Sequence, residues 1–330
     1  MVGIIEAAKY AYVYGWINSL PHTLGKEEYE RLVEARSIEE VVVTLEHTPY
    51  GKRIQEAVKG GINITEIEKS VTQYYVDVCG QIMKALPSGV ESSVRSVLLD
   101  EWDVYNIKQI LRGIYGKKDP EYIMSSIAAA GNIPEQELNE LAGCDMSTVI
   151  RKLQKYNYVF EEGDLFKMET LLDKELIRRW AAQGEKISKL KRVIGMQIDI
   201  LNLNTLLRFK VLKLDPTSFI KDGFGSHLRF NQLKEIADSN IDAVPDILER
   251  TPYKRFKEAF EDFKKTRSLE KLEVQTEKEL ASYVMHEEPL TLAFVVGYLR
   301  RMKIDTRNIR MILVCKANNI PAEEIRGMLV

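Results

Sequence analysis

The chain has little of the chemistry that usually announces a function. Its three cysteines, Cys79, Cys144 and Cys315, are an odd number, far apart, with no C-x-x-C pair to make a zinc knuckle or a redox site. They are expected to be buried thiols in a reducing compartment. Only 19 Gly and 10 Pro among 330 residues exclude collagen-like and low-complexity chains. No sign of charge dominates. Lys plus Arg number 47 against 49 Asp plus Glu, a formal net charge of −2, which removes any bulk electrostatic reason to hold DNA or RNA. Long apolar runs are also missing: the longest, Pro289 to Leu299, falls well short of the ~20 residues that span a hydrocarbon core. Closed by Arg300 and Arg301, it predicts a buried helix. Met1 to Lys9 carries Glu6 and no Arg-rich or apolar leader pattern, so a cytosolic protein is expected rather than a secreted or imported one.

Familiar site signatures are equally scarce. His22, His47, His227 and His286 never reach the His-x-x-x-His spacing that puts two ligands on one helical turn. His286-Glu-Glu288 is half of such a motif, and Pro289 interrupts the helix it needs. Lys59-Gly-Gly61 and Gly113 to Lys118 lack both the spacing and the strand context of a phosphate loop, and each reads as a turn after a helix. Neither a G-x-S-x-G elbow nor a dinucleotide glycine fingerprint is present. No cofactor and no metal are therefore expected.

What is there is helix. Val94, Val97, Leu98, Trp102, Tyr105, Ile110, Leu111 and Ile114 recur at three- and four-residue steps, the period of one helix face. From Leu190 to Leu214 the apolar positions, Val193 through Val211 and Leu212, cover more than one stripe, as in a central helix surrounded by others. Ser37 with Glu40 makes a capping box ahead of Val41 to Thr44. Stops fall at Gly60–Asn63, Gly131–Pro134, Asp215-Pro216, Gly223–Gly225 and Asn318–Pro321. Phe256, Phe260 and Phe263 turn the charged run 254–267 into an amphipathic helix. The fold class predicted is all-α.

An internal repeat carries the most information. Asp103, Asp199 and Asp305 are each followed three residues later by Asn (Asn106, Asn202, Asn308) and eight later by Leu (Leu111, Leu207, Leu313). Each then meets a Pro, at 17, 17 and 16 residues: Pro120, Pro216 and Pro321. A second block recurs upstream, with Leu and Tyr five apart in Leu45…Tyr50, Leu153…Tyr158 and Leu248…Tyr253, and with Val33, Leu141 and Ile236 lying 12 before the Leu. From Tyr to the next Asp the gap is 53, 41 and 52 residues, so the middle repeat is shortened. Three related helical units follow: 1–123, 124–224 and 225–330. Such units pack around a pseudo-threefold axis or stack as a solenoid. Solenoid repeats run to about 20–45 residues, so the length here favours three small domains.

These residues in register resemble the C subunit of the archaeal A-type ATP synthase, equivalent to the d subunit of V-type ATPases (the C/AC39 family). The resemblance is carried by Glu28 to Ala35 leading to Leu45…Gly51, by Asp103 to Gly113, by Asp199 to Arg208, and by Asn308 to Ala317 with Pro321 to Ile325. It implies three similar helical domains arranged as a cone with pseudo-threefold symmetry, and a non-catalytic rotor component. Its partners would be the proteins of the central stalk and the membrane rotor ring, on the cytoplasmic face of the membrane, with no nucleic acid and no direct nucleotide binding. The family's first helix tends to carry two arginines one residue apart; here those places are Trp16 and Asn18, which leaves a charged contact from this helix and an apolar one through Trp16 as equal alternatives.

Asp-x-x-Asn puts a carboxylate and an amide on one helix face, which could serve acid–base or metal work. Nothing nearby supplies a second carboxylate or a His in each repeat, and a catalytic site has no reason to be kept three times. Asp103, Asn106, Asp199, Asn202, Asp305 and Asn308 are thus expected to be structural, satisfying backbone groups at the same place in each repeat. Arg112 and Arg208 would pair with carboxylates elsewhere. Two competing readings are an enzyme with a site assembled from distant residues and a helical-repeat scaffold that binds peptides.

Overall fold

A computed structural model of the chain describes residues 2–20, 23–128, 130–187, 190–216, 227–266, 269, 272, 276–278, 280 and 290–329. Among them every regular element is helical, so the protein is all-α. In chain order the helices are α1 (Val2–Ser19), α2 (Lys26–Glu34), α3 (Ile38–Glu46), α4 (Gly51–Ala57), α5 (Ile64–Ala85), α6 (Glu91–Tyr115), α7 (Pro120–Ser125), α8 (Glu135–Ala142), α9 (Met146–Leu153), α10 (Leu165–Lys186), α11 (Lys191–Val211), α12 (Phe230–Asp238), α13 (Val244–Leu248), α14 (Lys257–Thr266), α15 (Leu292–Ala317) and α16 (Ala322–Met328). The chain separates into two compact units. One is Gly15–Leu176 with Met302–Ile320; the other is Met1–Tyr14 with Ile177–Arg301 and Pro321–Val330.

In the first of these units the helix starts follow from short polar side chains that satisfy otherwise orphaned amides. Asn63, Asp119 and Asp145 accept from the amides of Glu66, Tyr122 and Thr148 at the heads of α5, α7 and α9. The capping box at α3 is half made: the Ser37 hydroxyl accepts from the Glu40 amide at 3.4 Å, but Glu40 reaches back to the amide of Arg36, one residue earlier than the motif prescribes. Along α6, Val94, Val97, Leu98, Trp102, Ile110 and Leu111 are buried as their spacing requires, whereas Tyr105 is exposed.

The second unit holds α11, which buries Val193, Ile194, Ile198, Leu203, Leu206 and Leu207, with Asp199 and Asn202 among them. Val211 and Leu212, counted in the same apolar set, are exposed instead, at the point where α11 ends. Phe256, Phe260 and Phe263 are each 1% exposed, the buried side of α14 and the turn before it. The apolar run near Leu299 forms the first turns of α15, with Leu292, Val295, Val296 and Leu299 buried. Pro289 and His286 lie outside the described residues, as do His22 and Gly223 to Gly225. No helix among the described residues is long and apolar enough to cross a membrane.

The cysteines divide. Cys79 and Cys315 are buried, while Cys144 is only half-buried at the end of α8, contrary to the expectation of three buried thiols. Burial pushes the Cys79 thiol up to about 12. A thiolate, not a thiol, attacks a disulfide reagent, so Cys79 stays silent at pH 8 in the folded chain and Cys144 is the first labelled. Timed labelling with mass mapping checks this, and early modification of Cys79 would contradict it. The same shift makes stability fall with pH from about 9, where the unfolded thiol ionises and the folded one does not.

Candidate functional site: the repeated aspartate and asparagine pairs

Each repeated Asp sits on a long helix and faces the stretch that leads into a short one. On α6, Asp103 is 2% exposed. One carboxylate oxygen accepts from the amides of Asn132 (2.7 Å) and Ile133 (2.9 Å), the other from the side-chain amide of Asn132 (2.9 Å). These residues lie just ahead of α8. One turn on, the Asn106 side chain donates to the carbonyls of Ala128 (2.8 Å) and Ala130 (3.0 Å) and accepts from the amide of Ala128 (2.9 Å). Asp103 and Asn106 together hold an irregular segment whose backbone groups have no helix of their own to satisfy them. Gly131 is required between them. Its φ is +113°, and a Cβ there would stand 2.3 Å from a carboxylate oxygen of Asp103.

Asp199, fully buried on α11, repeats the arrangement. One oxygen accepts from the amides of His227 (2.7 Å) and Leu228 (3.2 Å), ahead of α12, and from the Tyr253 hydroxyl (2.8 Å). On α15, Asp305 accepts from the amide of Leu24 (2.8 Å), ahead of α2, and from the Tyr29 hydroxyl. Leu24, Ile133 and Leu228 each immediately precede the residue that caps the next helix, and all three are buried. Asn202 and Asn308 are buried one turn after their Asp.

The partner order is cyclic. Asp103 of the first repeat holds the segment before α8 in the second, Asp199 of the second holds the segment before α12 in the third, and Asp305 of the third holds the segment before α2 in the first. In two of the three repeats the second motif block meets the first in the same order. Tyr253 donates to Asp199, and the buried Tyr50 hydroxyl is held well above its usual range, by burial first and by the Asp305 carboxylate next. The turns that place these tyrosines match atom for atom. The Thr48 and Thr251 hydroxyls donate to the carbonyls of Leu45 and Leu248, and accept from the amides of Tyr50 and Tyr253.

Lysines that the repeat pattern alone does not single out close the other end of the short helices. Eleven residues after the Asp, Lys210 donates to the carbonyls of Ala237 (2.8 Å) and Ser239, and Lys316 donates to the carbonyl of Val33. Eleven residues rise about 16 Å along a helix, so one long helix reaches both ends of a nine-residue one. A cation at a helix C-terminus also meets the favourable end of its dipole. The first repeat has Ile114 at this place. Counted from the residues that cap the helix starts, Gly25, Pro134 and Arg229, the seventh positions are Leu32, Leu141 and Ile236, so Val33 lies one place beyond its counterparts.

The three helices that carry the repeated Asp end in one way. Lys117, Lys213 and Asn319 adopt φ of 52°, 56° and 55°. Each donates to a carbonyl three residues back, and the next amide, of Lys118, Leu214 or Ile320, reaches the carbonyl five residues back at 2.9 Å. This is a Schellman stop, for which glycine is the preferred residue. Replacing Lys117 by Gly is expected to raise stability by about 0.5–1 kcal/mol, read from the urea midpoint; a loss would show that the Lys117 side chain contributes more than its strain costs.

Chemically, the donors leave the three carboxylates engaged with backbone and tyrosine groups. Arg112 pairs with Glu169, its Nε at 2.6 Å from one oxygen and a terminal nitrogen at 2.8 Å from the other. Among the described residues no group of His, Cys, Asp and Glu side chains could hold a metal ion. The arrangement braces helices and offers no substrate a reactive atom.

The sequence profile described as ATP synthase (C/AC39) subunit matches residues 21–328. The C subunit of the A-type ATP synthase of Methanocaldococcus jannaschii is 27% identical over 350 residues, covering 99% of this chain and 88% of that one. Its counterpart in Pyrococcus abyssi is 25% identical over 325 residues, with 93% and 86% covered. The C subunit of the V-type ATP synthase of Deinococcus radiodurans is 23% identical over 312 residues, with 88% and 82% covered.

Proposed function

The chain belongs to the ATP synthase (C/AC39) subunit family, and from that premise we propose that it is a non-catalytic central-stalk component of an A/V-type rotary ATP synthase. It joins the soluble stalk to the membrane rotor ring and carries torque between them during proton- or sodium-linked ATP synthesis or hydrolysis. It sits peripherally on the cytoplasmic face of the membrane and binds neither nucleotide nor nucleic acid. In this reading the repeats 1–123, 124–224 and 225–330 are three domains about a pseudo-threefold axis, forming a cone.

The observation that carries the role is the family match across nearly the whole chain. The cyclic order of the aspartate contacts supports the threefold arrangement: an open solenoid would leave the last repeat's Asp with no first repeat to hold, yet Asp305 takes the Leu24 amide. A torque-bearing body must not yield under load, and close-packed helices have low compressibility.

The test is to tag the full chain, solubilise native membranes gently and identify what co-purifies. Ring and stalk proteins in constant ratio are expected. Recovery of the chain alone, from the soluble fraction, would overturn the reading and return the enzyme and scaffold alternatives.

A further inference from the structure

Helix α3 buries Val41, Val42 and Leu45 but turns Val43 outward, 55% exposed. Beside it runs an open groove of about 490 Å³ between α2 and α3, floored by Ala35 and Val43 and edged by Arg31, Glu34, Glu39 and Glu40. Three carboxylates stand against one guanidinium. The Ser37 hydroxyl holds the Glu39 carboxyl below its usual range.

The other repeats do not reproduce the surface. Counted from Leu45, Leu153 and Leu248, the place of Val43 is taken by Arg151 and Asp246, and the places of Glu39 and Glu40 by Ser147 and Thr148, then Asp242 and Ala243. An apolar position beside acidic neighbours occurs at these places in the first repeat alone. A threefold-repeated helix pair that differs in this way offers one docking place per chain.

We propose that this groove receives a basic amphipathic helix from a soluble neighbouring protein of the same complex. The proposal rests on the function proposed above. An apolar strip edged by carboxylates is complementary to a helix whose apolar residues are flanked by Lys and Arg. The apolar residues cover Val43, above the buried Ala35, and the cations meet Glu34, Glu39 and Glu40. Because these carboxylates lie at the rim, they act mainly on encounter and register, so association weakens as salt rises.

The test uses the full chain assembled in native membranes, with a photoreactive benzophenone amino acid in place of Val43. Illumination is expected to join it to one peptide of a soluble component of the complex, bearing Lys or Arg at helical spacing. In a chain that also carries Glu39→Lys and Glu40→Lys, the cross-link yield is expected to drop about tenfold or more, while far-UV dichroism stays unchanged and the thermal midpoint falls only by the loss of the Glu40 contact to the Arg36 amide and of two acidic residues in the first turn of α3. A cross-link to a ring protein, to a second copy of this chain, or to nothing overturns the groove assignment when the chain still co-purifies with the complex. So does a yield unaffected by the charge reversals. Recovery of the chain alone overturns the proposed function, and the groove assignment with it.

Discussion

Replacing Asp199 by Ala lowers the unfolding free energy by about 3–5 kcal/mol, more than any surface substitution in the chain. One oxygen of Asp199 takes three donors, the His227 and Leu228 amides and the Tyr253 hydroxyl. Leu228 and Tyr253 are 1% and 2% exposed, so their donors lose a partner where water does not replace it. Each buried donor left unpaired costs about 1–3 kcal/mol, and the half-buried His227 amide adds less. Asp199→Asn keeps an oxygen in the same place and loses only the charge assistance, so its cost is about 1–2 kcal/mol. Native-state hydrogen exchange locates the effect: protection at His227 and Leu228 falls first, while Asn132 and Ile133, held by Asp103, keep theirs. A cost below about 0.5 kcal/mol for Asp199→Ala would show that the carboxylate does not anchor the segment before α12.

The contrast between anchor and surface also explains what can be read in the sequence. Helices are legible because burial imposes a 3.6-residue period on residues such as Val94, Val97 and Leu98, and a side chain's own position decides it. The repeats are legible because Asp103, Asp199 and Asp305 do the same backbone work three times, and that work needs a carboxylate. What the carboxylates hold is not legible. Leu24, Ile133 and Leu228 contribute an amide, which every non-proline residue has, so their identity records only their burial. The meeting of Tyr253 with Asp199 is hidden although each belongs to a repeated block, since residues 54 apart share no local period. Lys210 and Lys316 leave a usable trace, the same type eleven residues after Asp in two of three repeats. Gly131 reads only as a stop, because a glycine's need for positive φ and its need for room look alike in sequence. The groove beside Val43 is invisible for the opposite reason: Val41, Val42 and Val43 are identical as letters, and only the helix rotation exposes the third.

The second large effect is expected at the ion pairs between α6 and α10. Lys108 and Arg112 stand one helical turn apart on α6, facing Asp173 and Glu169, one turn apart on α10. The two pairs are not equivalent. Arg112 is 45% exposed, so water and salt screen it and its removal costs about 1 kcal/mol. Lys108 and Asp173 are 14% and 8% exposed, at an N–O distance of 2.6 Å. Lys108→Met keeps the aliphatic stem and removes the charge, leaving Asp173 as a carboxylate with little water around it, so about 3–5 kcal/mol is expected to be lost. Lys108→Met combined with Asp173→Leu then recovers most of that loss, because two apolar side chains of similar volume need no solvation. If the double variant is as stable as the native chain, the pair adds little net stability, and its work is to fix the register of α6 against α10. A single variant costing less than about 1 kcal/mol would instead mean that Asp173 finds water or another donor once Lys108 is gone. Equilibrium unfolding of the four chains in this cycle separates the two cases, since only register fixing predicts a large single loss with a near-neutral double.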